Sequence, residues 1–125
     1  SMTEAEMNEM GYAALSICID LYGIFFTLLF AYVVAMYLAG SQLTRTQYSI
    51  ANILYFLTMT TVVLGTHGSW QDAYLWWEAV DGTPSSLWSE LRLWFNTATM
   101  LVSVFLAMWF GRRVRHPLSG MTAKR

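Results

Sequence analysis

The sequence predicts an all-α integral membrane protein: a three-helix bundle with its N-terminus outside and its C-terminus in the cytoplasm. Two observations predict it. The first is composition: 56% of the 125 residues are hydrophobic and only 12% are charged, about half the charge of an ordinary soluble domain. The second is the way charge is sorted. Three apolar stretches divide the chain into alternating compartments. Glu4, Glu6, Glu9, Asp72, Glu78, Asp81 and Glu90 fall on one side, and Arg45, Arg112, Arg113, Arg115, Lys124 and Arg125 on the other. Basic residues flanking membrane segments stay cytoplasmic, so three crossings account for the whole pattern. Only Asp20 and Arg92 escape the sorting.

The first span is expected at residues 11–39, ending at Gly40 and Ser41. At roughly 42 Å of helical rise it exceeds the ~30 Å hydrocarbon core, so it must tilt or project. A short inner turn carrying Arg45 leads to a second span at residues 48–66, which Gly65, His67 and Gly68 are expected to end. In the outer connection Trp70, Ala73, Tyr74 and Trp77 recur at i, i+3, i+4 and i+7 and therefore share one helical face. Residues 70–80 read as a separate amphipathic helix lying in the outer headgroup layer, with Trp88 joining the same aromatic belt. The run Asp81, Gly82, Thr83, Pro84 is a turn by its chemistry, and Ser85 or Ser86 is expected to cap a third span at residues 87–111. A basic tail, residues 112–125, follows, with Pro117 and Gly120 marking it as loose. Residues 1–125 thus form one transmembrane domain with no second, soluble one.

Asp20 demands a partner, a proton or water, because an aspartate at mid-helix costs about 2.5–3.5 kcal/mol on insertion scales. Counted along the helices, Asp20 and Asn96 fall in one layer, Arg92 lies one turn above Asn96, and Thr58, Thr60 and Thr61 reach similar depth. A polar cluster of Asp20, Arg92, Asn96, Thr60 and Thr61 is expected about a third of the way in from the outer surface. It would serve as structural glue or as a site for a proton, ion or polar headgroup; the remaining alternative is that Asp20 faces lipid while protonated, or lies nearer the interface. Small residues form two stripes at helical spacing: Ser16, Asp20, Gly23, Thr27, Ala31, Ala35 and Ala39 on the first helix, and Asn96, Thr99, Ser103, Ala107 and Gly111 on the third. Such stripes let backbones approach closely, within one subunit or between copies.

His67 is a possible ligand for a metal, haem or chlorin, or a proton carrier, although a solvated helix end is the simpler expectation. Trp70, Tyr74, Trp77 and Trp88 most simply form an interfacial belt. Arg112, Arg113 and Arg115 satisfy the topology rule and are placed to touch anionic lipid heads. Cys18 is the single cysteine, which excludes an internal disulfide and a cysteine zinc site. No cleaved signal peptide is evident. No metal or cofactor is expected. No serine–histidine–acid arrangement, phosphate-binding glycine loop or HExxH motif is present, so an isolated enzyme is the least expected reading, and nucleic-acid binding is not needed to explain the arginines.

Three functions fit these features. The preferred one is a non-catalytic subunit or self-assembling scaffold in a bacterial inner membrane. Its partners would be the bilayer and either its own copies or a larger membrane complex. The layout of three spans, N-terminus outside, with the basic tail at Arg112, Arg113 and Arg115, resembles that of some phage holins. That resemblance implies an oligomeric pore or small transporter, with Asp20 and Asn96 lining the pathway. A quinone- or pigment-binding subunit organised around His67 is the third.

Overall fold

The structure is a computed structural model that describes residues 2–82 and 87–116. It contains three long helices: α1 (Glu4–Ala39), α2 (Arg45–Asp81) and α3 (Leu87–Arg115), with a 3-10 turn at Gly40–Gln42 joining the first two. All three are long and apolar enough to cross a membrane.

α1 starts a full two turns before the expected span, and a capping box explains why. The Thr3 hydroxyl accepts from the Glu6 backbone N–H at 3.2 Å, while the Glu6 carboxylate accepts from the Thr3 N–H at 3.1 Å. Two of the backbone donors that a helix start leaves unpaired are satisfied together. α2 opens on the same device, with Thr44 and Gln47 in the two roles.

The second span does not end at Thr66. α2 runs through Gly65, His67 and Gly68 without a break, so residues 70–80 are its continuation rather than a separate helix. A glycine inside a helix costs only about 1 kcal/mol, and local packing outweighs it. The Thr66 side chain is fully buried and returns its hydroxyl to Val62 O at 2.8 Å, and Cys18 Sγ lies 3.9 Å from Thr66 O. The helix stops instead at Gly82, whose φ of 69° takes the left-handed conformation while its N–H bonds Glu78 O. Glycine adopts that conformation without a Cβ penalty. The expected turn therefore begins where its chemistry placed it. Thr83, Pro84, the serines at 85 and 86, and the tail from Pro117 onward lie outside the described residues.

Gly11, Cys18, Phe25 and Tyr32 are all buried along α1. Their seven-residue recurrence forms the seam of closely aligned helices. Around it pack Tyr55, Met59, Val62 and Val63 of α2 and Met100, Val104 and Ala107 of α3. Tyr32 stacks on Tyr55 with ring centroids 3.9 Å apart and donates a 2.5 Å hydrogen bond to Asn52 Oδ1. The Asn52 amide in turn donates to Tyr48 O. At this end Gly111 is buried because there is no room for anything larger. A Cβ there would sit 2.8 Å from the Tyr32 hydroxyl and 3.1 Å from Met36 Cγ.

Candidate functional site

The expected polar cluster forms only in part. Asn96 is its centre, but its partner from α1 is Tyr22, not Asp20. The Tyr22 hydroxyl donates to Asn96 Oδ1 at 2.5 Å and accepts from Trp70 Nε1 at 3.0 Å. Tyr22, Trp70, Tyr74, Arg92, Leu93 and Asn96 surround a cleft of about 270 Å³ where the three helices meet. One shared hydroxyl thus ties all three helices together.

Asp20 stands apart from it. It is exposed and lines a shallow groove made by its own helix, with Ile19, Gly23, Ile24, Thr27 and Leu28. The reason is angular. At 100° per residue, Asp20 lies roughly 150° around α1 from the buried seam. Counting from the outer ends puts Asp20 level with Asn96, but that count carries no direction. Among the described residues Asp20 makes no hydrogen bond or ion pair, and neither does Arg92, although Arg92 lines the cleft. Thr61 is exposed and bonds back to Leu57 O. The Thr60 hydroxyl is buried with no partner. Neither threonine joins Asn96.

His67 is not a solvated helix end. Its Nδ1 lies 2.7 Å from Thr97 Oγ1, and its ring lies 4.8 Å from that of Trp94. The imidazole is therefore part of the α2–α3 contact. No group of three or more metal-binding side chains comes together among the described residues.

The aromatic face of residues 70–80 exists as its spacing predicts, and α1 and Tyr22 cover part of it. Ala73 is fully buried. Trp77 lies over Gly11, where a Cβ would stand 2.5 Å from the indole nitrogen, and its ring meets Tyr12 edge-on at 6.1 Å. Trp88 is exposed.

The two small-residue stripes have different fates. On α3 the lower half, Ala107 and Gly111, is buried against the core. On α1, Ser16, Asp20, Gly23, Thr27, Ala31 and Ala35 are all exposed, and a Cβ added at Gly23 would meet nothing within 4 Å. The stripes do not pack on each other within one chain.

The three arginines at the end of α3 also differ. Arg115 donates from Nη1 to Gly40 O at 3.0 Å and Leu43 O at 2.6 Å, and its guanidinium lies 4.6 Å from the Tyr48 ring centre. It satisfies two backbone carbonyls of the turn that joins α1 to α2. Arg113 sits 5.0 Å over the Trp109 ring, within cation–π range. Arg112 has no side-chain partner among the described residues and lines a cleft between α2 and α3.

Tyr22 and Tyr32 are the residues that sequence reasoning missed. A usable signal was present: each is a polar side chain inside an apolar span, and such groups seek one another in lipid. No protein-family model matches the chain, and comparisons with curated proteins and with solved structures gave no match.

Proposed function

We propose that the protein is a non-catalytic membrane subunit that assembles with copies of itself through the outward face of α1. The observation that carries this reading is the exposure of Asp20 on a stripe of small residues that the chain's own helices leave uncovered.

The membrane placement follows from the basic end. Taking Gly40, Arg45 and Arg112 as the cytoplasmic boundary, about 20 residues of helix span the ~30 Å hydrocarbon core. Counted outward, that distance reaches Asp20 on α1, Gly65 to His67 on α2 and Arg92 on α3. Tyr22, Trp70, Tyr74 and Trp94 gather near this level, the depth that tyrosine and tryptophan prefer. The outer parts of α1 and α2 then project beyond the hydrocarbon, with every acidic residue of the outer segments on them or on the first turn of α3. Asp20 thus sits at the outer edge of the apolar layer, shallower than a count from the N-terminal end gives.

Within the layer, Gly23, Thr27, Ala31 and Ala35 present little side chain, so a second α1 can approach backbone to backbone. In lipid such contact, together with hydrogen bonds from Ser16, Asp20 and Thr27, is what holds helices together. Two copies inserted in the same orientation bring the same stripe to both sides of a two-fold axis, so the surface is self-complementary.

Replacing Gly23 by isoleucine tests this. In mild detergent the wild-type chain is expected to migrate as a dimer or larger oligomer and Gly23→Ile as a monomer, with helix content unchanged. A wild-type chain that is monomeric at all concentrations, in detergent and in bilayers alike, would refute the proposal.

A further inference from the structure

Of the three arginines that end α3, Arg112 is the one with no side-chain hydrogen bond or ring contact among the described residues. Arg115 is committed to two backbone carbonyls and Arg113 to the Trp109 ring. Arg112 instead lines an open cleft of about 510 Å³ between the first turns of α2 and the last turns of α3. Tyr48, Ser49 and Asn52 line it from α2, and Met108 and Trp109 from α3.

The cleft changes character along the helix axis. Arg112 and Ser49 line the end nearer the basic boundary. One turn deeper on each helix, about 6 Å, the lining is Met108 and Ile53, with Asn52 beside Ile53 and its amide already bonded to the Tyr32 hydroxyl and Tyr48 O. A cation and a hydroxyl above an apolar wall match the order of groups in a phospholipid, phosphate first and acyl chain below. A guanidinium binds a phosphodiester through paired N–H donors, which an ammonium or a diffuse positive surface does not reproduce.

We propose that this cleft binds the phosphate group of an anionic phospholipid in the leaflet facing the basic end. Arg112 holds the phosphate, Ser49 donates a second hydrogen bond, and the first acyl carbons lie along Ile53 and Met108. The proposal shares the membrane placement given above but not the α1 interface, which lies on a different helix. Loss of one therefore leaves the other standing.

The test uses the full-length chain, delipidated in detergent and titrated with dioleoyl phosphatidylglycerol or dioleoyl phosphatidylcholine, with bound lipid counted by native mass spectrometry. The expected result is a preference for phosphatidylglycerol. Arg112→Gln should weaken that preference on the order of fivefold, and Ser49→Ala should weaken it less. Arg113→Gln should retain it within about twofold. Millimolar inorganic phosphate should not displace the lipid, since it lacks the acyl chain. Arg112→Lys, which keeps the charge and the fold, should fall between wild type and Arg112→Gln. Equal losses in Arg112→Gln and Arg113→Gln would mean a diffuse basic surface and overturn the proposal. So would an absent headgroup preference, or displacement by phosphate alone. Gly23→Ile should leave lipid selectivity intact, so a failed α1 interface is not mistaken for a failed lipid site.

Discussion

The two faces of α1 are made of the same chain, at the same depths, and do opposite things. The inward face carries Gly11, Cys18, Phe25, Tyr32 and Met36, which are buried against α2 and α3. The outward face carries Ser16, Asp20, Gly23, Thr27, Ala31 and Ala35, which are all exposed. In water such a helix would bury its large apolar side chains and expose its polar ones. α1 does bury Phe25 and Tyr32, yet it leaves Phe26, Phe30, Tyr37 and Leu38 exposed as well. The lesson is that hydrophobicity does not separate inside from outside when the solvent is itself apolar. Shape and hydrogen bonding do so instead.

The largest break in this contrast comes from the inward face. Phe25 is 2% exposed at the centre of the core. Phe25→Ala should lower stability against unfolding in detergent by on the order of 2 kcal/mol. That figure is the cavity share of the usual cost, because the unfolded side chain meets detergent rather than water. Chemical or thermal unfolding followed by circular dichroism reads the difference.

A sharper comparison makes one substitution at two glycines. At Gly111 an added methyl must displace the Tyr32 hydroxyl, which is already bonded to Asn52, so Gly111→Ala should destabilise the fold by about 1–3 kcal/mol. At Gly23 the methyl enters open space, and the better helix propensity of alanine should leave stability unchanged or raise it by up to about 1 kcal/mol. Opposite signs at the two positions, measured on monomer in excess detergent, separate the packed face from the free one. Equal losses would mean that the free face is packed.

What was legible in the sequence follows the same division. The three apolar stretches and the charge sorting mark three helices able to cross a membrane, because both report on a solvent that the chain as a whole must satisfy. The 70, 73, 74, 77 spacing marks one helical face correctly, yet α1 and Tyr22 cover part of that face. Periodicity says which residues travel together, and it does not name their partner. The continuity of α2 was hidden for a related reason. Gly65 and Gly68 read as breakers, and only the buried Thr66 and the His67–Thr97 contact reveal why they do not break the helix. The early start of α1 was readable: Thr3 followed by Glu6 three residues later is a helix-start signature. Depth alone pairs Asp20 with Asn96. Adding the helical angle would have pointed Asp20 away and brought Tyr22 forward.

The most direct test is a cysteine scan along α1 in native membranes, in a Cys18→Ser background. Single cysteines at positions 16, 23, 27, 31 and 35 sample the outward face, and positions 25 and 32 sample the inward one. Oxidation should cross-link the first set into dimers in a helical pattern and leave the second set monomeric. Cross-links at 25 and 32, or none at any outward position, would show that α1 does not join copies through this face.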